Sequence, residues 1–212
     1  QRDGCVFPVR IMDTDTAARY HATYEDVESR KGKDVPEILS VKPHLLFPWL
    51  YQLGTTPKLL DAIEGLIGPD IMMPTCAIWA KQANDPRFVT WHQDSAYFGL
   101  DPHELVTVWL ALTDATPEMG CMKVIPGSHR GKAYSHEETF HEKNLLARGQ
   151  VIHDVDGTDF DYMPLKQGQF SCHHERIVHG SNPNETDAMR IGVGIFYFPA
   201  HVRSTIGRRP AS

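Results

Sequence analysis

From residue 71 onward the chain breaks into short β-rich runs, at 75–80, 88–91, 105–112, 122–125, 169–172 and 190–198. Turn chemistry separates them, in Asn84-Asp85-Pro86, Pro126-Gly127-Ser128, Gln167-Gly168 and Asn182-Pro183-Asn184. Several short strands preceded by helices predict a mainly β fold with flanking helices, a sandwich or jelly roll. Two helices are expected upstream. One runs from Thr14 to about Arg30, capped by Asp13 or Thr14 and ended by Gly32. The other covers 58–67, with Thr56 as cap, Pro57 in the first turn and an apolar stripe of Leu60, Ile63, Leu66 and Ile67. With no repeats or low-complexity linker, residues 1–212 read as a single domain, helical over about 1–70 and β over about 71–200. Segment 135–149 is polar and reads as a long irregular loop.

A net charge of −6 argues against a nucleic-acid partner, which wants a clustered basic surface. No apolar run approaches the ~18 residues of a membrane span. Cys5, Cys76, Cys121 and Cys172 lie far apart without a CxxC pair, which fits reduced, structural thiols in a cytoplasmic protein. No secretory leader precedes Gln1, although a chain that starts without Met is expected to continue beyond its ends.

The chemistry concentrates in Trp91-His92-Gln93-Asp94 and the distant His179-Gly180-Ser181 with Arg190. Two histidines and a carboxylate are the ligand set of non-heme Fe(II) oxygenases, a facial triad that leaves other metal positions open. An extended backbone would point His92 and Asp94, at i and i+2, to one face. Taken alone, an H-x-D match is weak in a chain with 12 histidines, and a satisfied surface pair explains it as well. Zinc also accepts such ligands, but nothing here resembles H-E-x-x-H. His173 and His174 are a tandem pair of which at most one faces inward, and either is an alternative ligand to His179. Arg190, Gly192, Gly194, Phe196 and Phe198 alternate onto one face of a strand. An inward Arg190 beside two glycines would leave space near the metal and suit a carboxylate, whereas an outward one would be an ordinary surface residue. Trp109 reads as a core aromatic.

With these motifs placed, the chain resembles the phytanoyl-CoA dioxygenase family of Fe(II)/2-oxoglutarate oxygenases, which includes ectoine hydroxylase. The residues that carry the resemblance are Trp91-His92-Gln93-Asp94, Gly120-Cys121-Met122 leading to Pro126-Gly127-Ser128-His129, then Gly168, His179-Gly180-Ser181 and Arg190. It implies a double-stranded β-helix of the cupin-like kind, with Fe(II) held by His92, Asp94 and His179. It further implies that Arg190 binds the distal carboxylate of 2-oxoglutarate, that Ser181 and Trp109 line that pocket, and that Gln93 approaches the co-substrate. Lys81 and Trp79 stand on the strand entering the site. Relatives that halogenate replace the carboxylate ligand with Ala or Gly, so the intact Asp94 implies hydroxylation with O2, releasing succinate and CO2.

The primary substrate is expected to be a small molecule, held against Tyr97, Phe98 and His174. Aromatic surface there would suit an apolar group or a quaternary ammonium. Trp49 and Phe47 read as core. Two other classes compete: a cupin-like metal dioxygenase that does not use 2-oxoglutarate, and a non-catalytic small-molecule binding barrel.

Overall fold

Thirteen strands and four α-helices make up the computed structural model, which describes residues 2–32, 38–131, 133–146, 150–155 and 158–205. The strands are β1 (Cys5–Arg10), β2 (Ile71–Lys81), β3 (Val89–His92), β4 (Leu100–Asp101), β5 (Val106–Ala111), β6 (Met122–Val124) and β7 (Glu137–Glu138), followed by β8 (Gln150–Val151), β9 (Asp161–Met163), β10 (Gln169–His174), β11 (His179–Ser181), β12 (Arg190–Pro199) and β13 (Arg203–Ser204). A major sheet runs β1-β10-β5-β12-β2 and a minor sheet β3-β11-β6-β9, while β4/β13 and β7/β8 form small ribbons. Every strand pairing in them is antiparallel. This is the expected mainly β architecture. The β7/β8 ribbon begins inside the segment read as an irregular loop.

The period-two alternation of the major sheet divides its residues between two environments. On one face Ile191, Val193, Ile195 and Tyr197 of β12 are fully buried, beside Val108 and Leu110 of β5 and Phe170 and Cys172 of β10. Helices α1 (Thr14–Lys31), α2 (Pro48–Gly54) and α3 (Pro57–Ile67) cover this face with Tyr24, Leu50, Leu53, Leu59 and Ile63. The Tyr197 hydroxyl donates to the Gly54 carbonyl at 2.6 Å and ties β12 to the end of α2. The opposite face of the sheet is free to line a cavity.

Asp13 caps α1 by accepting from the Thr16 amide at 2.7 Å, and Gly32, at φ 56°, ends it. Three expectations need correction. Thr56 does not cap α3 through its side chain; its hydroxyl donates back to the Leu53 carbonyl at 2.9 Å, closing α2 instead. The buried stripe of α3 is Leu59 and Ile63, and Leu66 is 52% exposed. The N-terminal part is not wholly helical either, because β1 adds an edge strand to the major sheet. Trp49 and Phe47 pack against the core as read. All four cysteines are free. No helix among the described residues is long and apolar enough to cross a membrane.

The turn joining β10 to β11 is fastened by Glu175. Its backbone N–H donates to the Leu105 carbonyl and its carbonyl accepts from Ser95, both at 3.0 Å. Its carboxyl is fully buried, accepts from the Leu105 amide at 3.4 Å and lies 3.3 Å from His103 Nδ1. Burial first, and the charge of Asp94 next among the groups that raise it, push this carboxyl up to about 7. A folded-state value above the unfolded one of 4.5 means that the protonated carboxyl stabilises the fold at low pH. That stability is lost as pH rises through about 7. Glu175→Gln should therefore melt higher than the parent protein at pH 8, by roughly 2–3 kcal/mol, with the difference fading by pH 5. Thermal unfolding at the two pH values checks this, and an equal difference at both would contradict it.

Candidate metal centre and anion seat

His92 is the last residue of β3 and His179 the first of β11, and the two are direct register partners across the minor sheet. Antiparallel partners share a face, which brings their ring centroids to 4.0 Å. Asp94 reaches the same point differently from expectation. The extended run stops at His92, and Asp94, at φ −61° and ψ −31°, begins the one-turn helix α4 (Ser95–Phe98), after which Gly99 turns the chain at φ 51°. Asp94 Oδ1 lies 3.5 Å from His92 Nε2 and 3.7 Å from His179 Nε2. One donor atom from each of the three residues falls within 4.8 Å of the others, and all three side chains are buried.

The hydrogen bonds fix which nitrogens look inward. His92 Nδ1 lies 2.9 Å from the Thr90 carbonyl and His179 Nδ1 3.1 Å from that of Ile177. A carbonyl only accepts, so both Nδ1 atoms carry the proton, and in the neutral ring each Nε2 presents a lone pair to the centre. Burial holds His179 well below its ordinary value and so neutral. For Asp94, burial alone would raise the carboxyl. The imidazoles of His179, His173 and His92 around it outweigh burial and keep the carboxyl well below the usual range. Lone pairs and a carboxylate thus converge on one point with no proton between them, a donor set that a divalent cation completes. Two imidazoles and one carboxylate with open positions suit Fe(II).

At the other end of the cavity the charge is reversed. Arg190 and Lys81 are register partners on β12 and β2, and both are buried. The Lys81 ammonium donates to Ser181 Oγ at 2.7 Å and to the Asn182 carbonyl. Burial, then the charge of Arg190, pushes Lys81 down to about 6, and burial lowers Arg190 to about 10. Arg190 Nε has no protein partner, and its guanidinium carbon stands 5.1 Å from the centre of the Trp109 ring. The buried Arg190 guanidinium, with Lys81 behind it, forms a seat for an anion. The glycines of β12 do not leave free space here. A Cβ on Gly192 would come within 2.0 Å of Trp109, and one on Gly194 within 2.9 Å of Trp79. Each glycine is the seat of an indole. One cavity of about 390 Å³ joins Arg190 and Ser181, the three candidate ligands, and an aromatic wall of Tyr97, Phe98 and Phe196, with Ser40, Val41 and Lys42 also lining it.

A sequence profile described as Phytanoyl-CoA dioxygenase (PhyH) matches residues 1–192. The chain belongs to the phytanoyl-CoA dioxygenase family. It is 28% identical over 188 residues to a probable alpha-ketoglutarate-dependent hypophosphite dioxygenase of Stutzerimonas stutzeri, covering 87% of this chain and 65% of that protein. Human peroxisomal phytanoyl-CoA dioxygenase is 25% identical over 156 residues, 71% of this chain and 46% of the relative. The chain therefore spans between about half and two thirds of these relatives' lengths. Among solved structures, the non-heme monooxygenase ThoJ superposes with a TM-score of 0.84 at 33% identity, covering 98% of this chain and 78% of that one. The epimerase SnoN, in complex with Fe3+, alpha ketoglutarate and nogalamycin RO, shares the fold with a TM-score of 0.78 at 20% identity, over 100% of this chain and 90% of its own.

Within this PhyH-family cavity stand His92, Asp94, His179, Arg190, Ser181, Trp109, Tyr97 and Phe98. Two candidates fall outside it. Gln93 is buried on the other side of the backbone, where its amide donates to the Arg176 carbonyl at 2.6 Å and accepts from the Tyr134 amide at 3.1 Å. His174 faces away from the cavity and stacks near His129, with centroids 5.5 Å apart. Each follows a cavity-facing residue, His92 and His173, and its own side chain points the other way. The inward member of the tandem pair is His173, which lines the cavity without joining the three-atom cluster. Thr107, which alternation places on the same face of β5 as Trp109, also lines the cavity.

Adding a Cβ at Gly192 should unseat Trp109. Gly192→Ala is expected to cost about 1–3 kcal/mol of stability and to change the near-ultraviolet circular dichroism of the tryptophans. An unchanged spectrum and melting temperature would show that the indole has room to spare.

Proposed function

We propose that this chain is an Fe(II)- and 2-oxoglutarate-dependent dioxygenase that hydroxylates a C–H bond of a small molecule, with release of succinate and CO2. The observation that carries the reading is the pairing, within one cavity, of a facial donor triad with the buried guanidinium of Arg190, behind which Lys81 stands as its register partner. A metal site alone fits a barrel that uses no organic co-substrate. The second, cationic site calls for a dicarboxylate that spans both. Relatives support this choice, since one is named as alpha-ketoglutarate-dependent and SnoN was solved with Fe3+ and alpha ketoglutarate.

His92, Asp94 and His179 would hold the iron, whose chemistry when bound is O2 activation coupled to oxidative decarboxylation of 2-oxoglutarate. Arg190 would grip the distal carboxylate, and its planar fork suits bidentate binding. Trp109 lies beside that guanidinium, while Lys81 orients the Ser181 hydroxyl. The buried walls of the cavity exclude water from the reacting centre. Tyr97 and Phe98 would face the primary substrate, and Asp94, by filling the third ligand position, favours hydroxylation over halogenation. The free thiols fit a reducing, cytoplasmic setting.

Anaerobic titration tests the co-substrate assignment. Arg190→Ala should weaken 2-oxoglutarate binding about a hundredfold or more while leaving Fe(II) affinity unchanged, because truncating one partner of a buried charge pair costs about 2–5 kcal/mol. Unchanged 2-oxoglutarate affinity would remove Arg190 from the site. For the reaction, succinate formation is measured across amino acids, betaines, aminophosphonates and acyl-CoA thioesters. One class should stimulate turnover and acquire oxygen, and no stimulation by any of them counts against a small-molecule hydroxylase.

A further inference from the structure

The two oxygens of the Asp94 carboxylate face different sheets. Oδ1 looks to the minor sheet, 3.5 and 3.7 Å from Nε2 of His92 and His179. Oδ2 looks to the major sheet, where the Thr107 hydroxyl donates to it at 2.7 Å and His173 Nε2 stands 3.3 Å away. Thr107 on β5 and His173 on β10 are direct register partners, 5% and 1% exposed. Their strand neighbours Val108 and Cys172 are locked into the apolar core behind them. His173 Nδ1 has no protein partner, so Nε2 is the nitrogen through which this ring makes its hydrogen bond. A pair of donors on a rigid sheet therefore fixes the orientation of a carboxylate that neither of them would replace as ligand.

Resting on the reading above, we infer that Thr107 and His173 are positioning residues that hold Asp94 Oδ2 away from the metal. Three protein atoms fill one face of an octahedral site, and a chelating 2-oxo acid needs two of the positions that remain. A carboxylate free to pivot would bring Oδ2 in as a fourth protein ligand and close one of them. Pivoting here breaks two hydrogen bonds to a charged oxygen in a buried site and strands both donors, so it is opposed. The clamp keeps the ligation one-oxygen and the co-substrate positions open. Its effect falls on the co-substrate more than on the metal.

The test is anaerobic calorimetry with Fe(II), then with 2-oxoglutarate, together with the visible charge-transfer absorption of the Fe(II)–2-oxoglutarate chelate. Thr107→Val with His173→Leu should keep Fe(II) affinity within about threefold or tighten it. The same variant should weaken 2-oxoglutarate binding tenfold or more and diminish the chelate absorption. Thr107→Ser and His173→Gln, which still donate, should bind both as the parent protein does. The clamp is overturned if the double variant binds 2-oxoglutarate normally, if it loses Fe(II) as completely as Asp94→Ala, or if the donating variants fail as badly. Should the double variant not fold, the near-isosteric Thr107→Val alone decides, on the same readouts. A parent protein that takes up Fe(II) but no 2-oxoglutarate overturns the co-substrate reading itself, before any variant is compared.

Discussion

Burial of alternate residues of β2, β5, β10 and β12 against helices α1 to α3 fixes the backbone of the major sheet, and the placement of the cavity side chains follows from it. Cys76, Val108, Cys172 and Val193 are committed to the core, which leaves Ala77 and Trp79, Thr107 and Trp109, His173, Gly192 and Gly194 on the other face. Apolar packing thus supplies the rigidity that a catalytic constellation needs: Thr107 and Trp109 each have core residues on both sides in sequence, and Cys172 precedes His173. The minor sheet, with shorter strands, brings the two histidines against this wall.

Charge is arranged along the cavity as two opposite deficits. Around Asp94, lone pairs and a carboxylate lack a cation. Around Arg190, with Lys81 behind it, a buried guanidinium lacks an anion. Neither end is comfortable alone in a low-dielectric interior. The lowered values of Lys81 and Arg190 express that discomfort, and an entering dicarboxylate would relieve it by favouring their charged forms. Binding of metal and co-substrate is therefore expected to stabilise the protein as well as to equip it.

How much of this was legible in the sequence depended on whether a residue acts directly or through another. His92, Asp94, His179 and Arg190 carry their chemistry in their identity and spacing, and the structure gathers them in one cavity. Gln93 and His174 were misplaced because each follows a cavity-facing residue, His92 and His173, while its own side chain turns to the other side of the backbone. Thr107 and His173 formed no motif because their partner is a side chain distant in sequence. Strand β1 was invisible because a short edge strand with a proline in it, Cys5–Arg10, has no strong pattern. The cap of α3 failed because Thr56 had a closer carbonyl behind it, at Leu53.

The direct pairing of His92 with His179 has a consequence for how such a chain can change length. Side chains on a strand point alternately, so a slip of one residue in β3 or β11 would carry an imidazole to the far side of the sheet and abolish the centre without unfolding it. Insertions or deletions confined to the loops of the long excursion between the two strands leave that pairing untouched. Lineages built on this scaffold are thus free to remodel their loops, and with them what the cavity admits, while the phase of two short strands stays fixed.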